Sequence, residues 1–456
     1  MALRSCIAAL PIALSLACAA EAAVITVDTF APTRARCNLA AALQSADSNQ
    51  PVNQCAAGEA GVIDEIRFHP DLTGTAQLGR PFQITDSVRI IGNGPDRIAI
   101  EGGLTVDIAA GGDFTLSGVS MRNGLLLWRA GDVVVERVRF AGLRSQMMYG
   151  SAISAPGARL GRLSIRESEF FDNPGELGVV VLPSDAHVDE VEVRDSRFVG
   201  NQTHGQGSGA LYLGAHTHQV TIRASDFMGN QAWGMSLAGA IVVERPTMLS
   251  IEGSIFHGNS GGESGAIWAQ DSSVDVLNSS LAYNRGAAAG AVRLVGGEYF
   301  GLRFSAVVDN NPHASFMPAL QLDDGPGRVE FLGNVLRAPQ NGRVCSQAPI
   351  ESLGYNQQYA GRSCELHHYT DIDSLPPFLR GVSAGAGRPH VPTWPAHGPG
   401  IDRVPFHECL RSSGELLITD IRDVERPWVH GQADPAGSCD VGPIEQQANH
   451  FPVPHP

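Results

Sequence analysis

Two short stretches of this chain hold the side chains best suited to proton transfer or metal binding. Asp185-x-His187-x-Asp189 puts two carboxylates and an imidazole on alternate residues, and His216-Thr217-His218 follows at the equivalent place one repeat later. Imidazole and carboxylate on neighbouring turns can relay a proton or hold a Zn²⁺-type cation. The plainer alternative is two solvated polar turns. His187, His216, His218, Asp185 and Asp189 are therefore the catalytic candidates, with no role assigned to any of them and no metal assigned.

A second set suits binding. Three residues after a recurring Asn stand Glu176, His204, Trp233, Gly262, Ala287 and His313. One residue past a recurring Gly-Ala-apolar phrase stand Ser154, Val181, Tyr212, Val242, Trp268, Arg293 and Gln321. Both columns are expected to face outward, where aromatic rings suit stacking on sugars. Trp233, His204, Tyr212, Trp268 and Arg293 are the candidate ligand-binding residues. The competing expectation is an aromatic packed beneath a loop. A further outward column reads Arg166, Arg194, Arg223, Glu252 and Arg303. Like charges one rung apart destabilise a sheet, so Glu167, Glu192 and Asp195, or an anionic glycan, are expected to neutralise it.

Other chemistries lack their residues. Asp323-Asp324 precedes Gly325-Pro326 and reads as a turn, with no Gly-His-Gly or basic clamp after it. No coil shows the Asp cluster plus Arg that a Ca²⁺-dependent lyase needs. His-Glu-x-x-His, Gly-x-Ser-x-Gly and phosphate-loop patterns are absent. All the basic residues are Arg, so a Lys base or Schiff base is excluded. A net charge of −15 argues against nucleic acid and against anionic membrane surfaces.

The elements that position these residues come from a repeat. Ser-x-Phe-x-x-Asn, or a close variant, recurs as Ser168–Phe170–Asn173, Ser196–Phe198–Asn201, Ser225–Phe227–Asn230, Ser254–Phe256–Asn259, Ser279–Leu281–Asn284 and Ser305–Val307–Asn310. The Asn-to-Asn steps are 28, 29, 29, 25 and 26 residues. Gly209-Ala-Leu, Gly239-Ala-Ile, Gly265-Ala-Ile and Gly290-Ala-Val run in phase. Apolar pairs two residues apart, such as Val191/Val193 and Val220/Ile222, precede each Ser. Period-two alternation marks strands with one buried face. Three short strands per unit and no helical stripe describe one coil of a parallel β-helix. The expectation is an all-β, right-handed parallel β-helix of about nine coils over 80–340, a rod of roughly 45 Å with capped ends. The Phe, Ile and Val columns form its core. The Asn column forms a buried ladder, its amides bonding the next coil and its backbone suited to left-handed turns.

Outside the repeats, residues 1–22 read as a signal peptide with an apolar run from Ile7 to Cys18, too short to span a membrane. Leu16 lies two residues before Cys18 rather than three, which departs from a lipoprotein pattern. The remaining cysteines are Cys37, Cys55, Cys345, Cys364, Cys409 and Cys439, an even number that suits disulfides in an exported chain. Pairing between sequence neighbours joins Cys37 to Cys55; for the last four, Cys345–Cys364 with Cys409–Cys439 is one of three connectivities. Residues 23–79 read as an N-terminal cap with a strand at Val24 and a helix after Cys37. Residues 341–456 read as an irregular, Cys-containing C-terminal cap or module, with a Gly- and Pro-rich loop at 381–400.

Cys37-Asn-Leu-Ala-Ala-Ala-Leu, Cys55, Gly61-Val-Ile-Asp-Glu-Ile-Arg-Phe, Leu72-Thr-Gly-Thr and Ile90-Ile-Gly-Asn-Gly-Pro resemble the Cys-Ser-Leu-Arg-Glu-Ala (CSLREA) domain of bacterial secreted β-helix proteins. Asn38, Ala40 and Ala41 depart from that pattern. Asp420-Ile-Arg-Asp, Arg426-Pro and Cys439-Asp-Val-Gly-Pro-Ile-Glu are similar to the choice-of-anchor Q domain, and the repeats resemble those of polymorphic outer-membrane proteins. The resemblance implies a pectin-lyase-like fold and export, to the outside or to the periplasm, with neither a translocator barrel nor a transmembrane anchor in the mature chain. The functional expectation is a non-enzymatic surface-interaction or carbohydrate-binding protein without a cofactor, whose partner is a polysaccharide or cell-surface component. The alternatives are a polysaccharide lyase, hydrolase or epimerase with its site near residues 185–270, and a spacer without a ligand.

Overall fold

The computed structural model describes residues 22–445, apart from 144–149, 246, 312–316, 324, 340–341, 347, 360–362, 374–378, 385–387, 394–397, 427, 430–431 and 434–436. The expected signal peptide (save Ala22), His313 and Asp324 lie outside the described residues.

The chain winds into a parallel β-solenoid of about ten turns. The extra turn over the expected nine comes from both ends. Val24–Val27 pairs with Asp64–Phe68, which pairs with Val88–Ile91, so parallel pairing starts well before residue 80. At the other end Val335–Arg337 pairs with Gln357–Tyr359, which pairs with Ile372–Asp373. A helix, Leu39–Ser48, begins at Asn38, whose side chain accepts from Ala41 N at 3.0 Å. Its buried Leu39, Ala42 and Leu43 pack on the first coils.

The repeat maps onto the coils rung by rung. Phe140, Phe170, Phe198, Phe227 and Phe256 occupy one register. Successive rings lie 5.0, 4.4, 4.9 and 4.9 Å apart and nearly parallel. Face-to-face stacking is not the favoured geometry of an isolated aromatic pair; the spacing between parallel strands imposes it. Leu281, Val307 and Leu336 continue the column.

The Asn ladder forms as expected, and it does more than join two coils. From Asn173 to Asn284, each Nδ2 donates to the Oδ1 of the next Asn at 2.8–3.0 Å. Each also donates to the carbonyl of Phe140, Phe170, Phe198, Phe227 or Phe256, in the coil before, at 2.9–3.0 Å. The backbone N–H donates to the next Oδ1 at 2.9–3.1 Å. The Ser column forms a second ladder, each backbone N–H donating to the next Ser Oγ at 3.1–3.2 Å from Ser168 to Ser305.

One expectation is corrected. The ladder Asn residues are not left-handed. The positive φ falls on the residue before each: Asp172, Gly200, Gly229, Gly258, Tyr283 and Asp309. The residue before each Ser is left-handed too: Glu167, Asp195, Ala224, Gly253, Asn278 and Phe304. A left-handed residue turns the corner, and the Ser or Asn after it points inward to satisfy the exposed ends of the turn.

The three disulfides join Cys37–Cys55, Cys345–Cys364 and Cys409–Cys439. Among the described residues no helix is long and apolar enough to cross a membrane. The C-terminal segment does not simply continue the rod. Its described residues between Ala384 and Glu445 lie back along the flank, over the corners that precede the Ser ladder. Ala384, Val391, Ile421 and Ile444 enclose Ile255, and Val404, Leu417 and Val441 pack with Phe304, Val308 and Leu332.

Candidate ligand-binding faces

Outward-register side chains of neighbouring coils stack at three places along the rod. The first is the turn after the Asn ladder. Pro174–Gly175, Gln202–Thr203 and Gln231–Ala232 pair in parallel. Gly205 N donates to Glu176 O and Trp233 N to Thr203 O, so Glu176, His204 and Trp233 follow one another along the rod. All three are exposed. The Trp233 indole is 53% exposed on this ledge, with Met235 beside it in sequence and even more open. Glycines make the close turns possible. A Cβ on Gly207 would sit 1.9 Å from the Leu177 carbonyl oxygen.

The second place is the column Ser154, Val181, Tyr212, Val242, Trp268, Arg293 and Gln321, which pairs rung to rung as the spacing implies. Its expected exposure is not found throughout. Trp268 is only 7% exposed and packs with Ala238, Val242, Tyr212 and Leu237. The loop carrying Leu237 covers it, which is the competing outcome for these aromatics. Tyr212 is half-buried and donates its hydroxyl to Glu244 Oε2 at 3.0 Å; burial and the nearby Glu244 charge push its pKa up. Arg293 donates to Asp323 Oδ2 at 2.8 Å and pairs closely with Glu263. Of the proposed ligand-binding residues, His204 and Trp233 therefore share one open face, while Tyr212, Trp268 and Arg293 sit on another that is largely closed.

The third is the histidine corner. Arg159, His187 and His216 share a register, and the two imidazoles stack at 4.7 Å with planes 18° apart. His218 N donates to Asp189 O at 3.2 Å, so the two turns adjoin. Asp185, His187, Asp189, His216 and His218 are all exposed. The His216 pKa is lowered by desolvation, by the Arg245 guanidinium and by His187. No three of these groups converge. Among the described residues the one set of three such side chains with ligand atoms within 4.8 Å of one another is Asp402, Asp440 and Glu445. Arg426 reaches Glu445 Oε2 at 3.4 Å there, and both of those side chains are fully buried.

The Arg column is neutralised as expected. Glu192 accepts from Arg166 at 2.7 Å and Arg162 at 2.8 Å, and Arg194 pairs with Asp195 at 2.9 Å. Glu252 pairs with Arg223 at 3.2 Å and with Arg411 of the C-terminal segment at 2.5 Å.

That segment supplies residues that no sequence pattern flagged. Arg388 donates to Asp226 Oδ1 at 2.9 Å, to Gly253 O at 3.0 Å and to Ile421 O at 3.1 Å. Burial pushes the Asp226 carboxyl up despite this guanidinium. Ser412 donates to Asp275 Oδ2 at 2.5 Å, and burial raises that carboxyl as well. Beneath Ser412, Tyr299 and Arg303 both donate to buried Glu330, and the Tyr299 pKa is pushed up to about 12, chiefly by burial. Asp226, Asp275 and Glu330 occupy outward positions of their strands. In a bare solenoid Asp226 and Asp275 would face water; the returning segment meets them through Arg388 and Ser412, whereas Glu330 is held by Tyr299, Arg303 and Arg328 of the coils. Two adjoining clefts remain between segment and coils, of about 380 Å³ and 210 Å³.

Comparison of the chain with family models, with curated proteins and with solved structures finds no match. The fold and the faces it exposes therefore carry the functional reading: a disulfide-bearing parallel β-solenoid with an outward aromatic ledge.

Proposed function

We propose that this is an exported, non-enzymatic protein that binds a carbohydrate chain of a cell surface or polysaccharide on the ledge formed by Glu176, His204 and Trp233. The observation that carries this reading is the Trp233 indole, more than half exposed yet held on a rung-bonded turn. An amphipathic ring on a rigid support offers apolar area at little ordering cost, while its N–H remains free to pair with a ligand hydroxyl. His204 and Glu176 on the neighbouring coils add a donor or acceptor at about 4.8 Å intervals. Three disulfides support an oxidising compartment, and the resemblance of the two ends to secreted β-helix proteins points the same way.

The enzymatic alternative has less support. Its candidate imidazoles and carboxylates stand exposed on a corner, where little excludes water or focuses their charge. The test is a panel of neutral and acidic polysaccharides, read for binding by affinity electrophoresis and for turnover by reducing ends and unsaturated-uronate absorbance. Binding without turnover, weakened about tenfold by Trp233→Ala (1.4 kcal/mol), is expected. Turnover abolished by His187→Ala or His216→Ala would replace this reading with an enzyme.

A further inference from the structure

The two clefts under the C-terminal segment form one trough. They share Asp195, Ala224, Ile421 and Asp423, and lie on the corner before the Ser ladder rather than on the Trp233 ledge. Their walls come from distant parts of the chain: left-handed corners of successive coils on one side, Ala384, Arg388 and residues 419–423 on the other. The walls are fixed, because Arg388 ties the segment to Asp226 and Gly253 of the coils while also holding the Ile421 carbonyl. Such a trough exists before any ligand arrives, so a ligand loses little affinity to ordering it.

Its chemistry is unusual for a binding cleft in two respects. Five arginines line it with five acids, so it has no net charge with which to select an anion or a cation. None of its lining residues is aromatic. The innermost charges are already used: Asp226 by Arg388, and Asp420 by Arg422. Those at the mouth are paired too, Arg194 with Asp195 and Arg223 with Glu252, but each pair leaves guanidinium N–H donors and carboxylate lone pairs over for a ligand. The Arg194 and Arg223 side chains, one rung apart, are 59% and 55% exposed, and Asp195 and Asp423 are exposed beside them. A guanidinium only donates and a carboxylate only accepts. The group that satisfies both at once is a hydroxyl, which donates one hydrogen bond and accepts two. Half-buried Ala224 offers a small apolar contact among them for the C–H face of a sugar ring, while Ile421 lies in the wall, packed against Ile255.

We propose that this trough is a second saccharide site, specific for the end of a short, uncharged, hydroxyl-rich oligosaccharide. It rests on the carbohydrate-binding reading, and it adds to the Trp233 ledge a site on a different face with its own selectivity.

The test is isothermal titration of the full-length mature protein with cellotetraose, maltotetraose and chitotetraose, and with trigalacturonate as the anionic arm. A neutral tetraose binds, and its affinity changes little between about 0.01 M and 1 M ionic strength, a range over which attraction between exposed charges is screened away. The Trp233→Ala protein, with its ledge disabled, is titrated as the reference, and in that background Asp195→Asn and Arg223→Gln each lower the affinity about tenfold. Both variants keep the fold: Asn tolerates the left-handed backbone at 195, and Glu252 retains Arg411 when Arg223 is lost. Failure of every neutral tetraose to bind, or binding indifferent to both variants, overturns the proposal. So does preference for trigalacturonate that salt abolishes. If polysaccharide still binds in a Trp233-dependent way, only the trough is lost; if it does not, the carbohydrate reading falls as well.

Discussion

Asn230→Ala removes a small polar side chain, yet the structure makes it a costly change. The Asn230 side chain is fully buried and makes four hydrogen bonds. Its Nδ2 donates to Phe198 O at 2.9 Å and to Asn259 Oδ1 at 3.0 Å. Its Oδ1 accepts from Asn201 N at 3.1 Å and Asn201 Nδ2 at 2.8 Å. At about 1 kcal/mol net per bond the loss is about 4 kcal/mol, before any charge for leaving the Asn201 N–H buried without its acceptor. The neighbouring Gly229→Ala is the internal standard. Gly229 has φ +59° with open space where a Cβ would go, so its cost is conformational alone, about 1–2 kcal/mol. Asn310 lies at the ladder's end and makes three of these bonds, to Leu281 O and from Asn284 N and Nδ2. Its Ala variant falls between the other two, at about 3 kcal/mol. Urea unfolding followed by far-ultraviolet circular dichroism ranks the three, with m-values checked for constancy. If Asn230→Ala costs no more than Gly229→Ala, the ladder is not what holds neighbouring coils in register, and the reasoning fails.

Two further outcomes follow from the returning segment and the histidine corner. Arg388→Ala removes the guanidinium bonded to buried Asp226 and leaves Arg197 as its remaining cation, which costs up to about 3 kcal/mol; limited proteolysis then cuts within 384–445 while the coils stay resistant, and an unchanged digestion pattern would count against the segment's anchoring by Arg388. His216 holds its proton less tightly when folded than when unfolded, since desolvation, Arg245 and His187 all lower its pKa. The unfolded chain therefore binds the extra proton, and stability falls as pH drops below about 6.5. His216→Gln flattens that slope in urea midpoints taken across this range, and an equal slope in both proteins would show that the stacked pair is not its source.

Much of the solenoid was readable because each coil repeats a local rule. Val191/Val193 and Val220/Ile222 alternate with polar residues, and alternation specifies which face is buried whatever the partner. The column from Ser154 to Gln321 could be aligned from spacing alone, and it pairs as aligned. What the spacing did not reveal is which residue turns the corner. Asn looked like the left-handed residue, but Asp172, Gly200, Gly229 and Tyr283 take that backbone instead. Their varied identities hide the position, because the inward Asn after each, rather than the corner residue itself, stabilises the turn. Nor could column position predict exposure. Val242 and Trp268 share an outward register, and the loop with Leu237 and Ala238, from Val242's own coil, covers both.

By itself, then, the sequence determined the coil, its core stacks, its inward Asn ladder and the register of Trp233, since all follow from residues within one or two repeats. The tertiary structure alone decided what covers the coils. Arg388 meets Asp226 across 162 residues, and Arg426 meets Asn278 across 148. These contacts carry no period, and Asp226 and Asp275 look like ordinary surface acids until the C-terminal segment lies over them. Periodicity reports interactions that repeat. The trough is built from contacts that occur once, and such contacts exist only when the chain has folded back on itself.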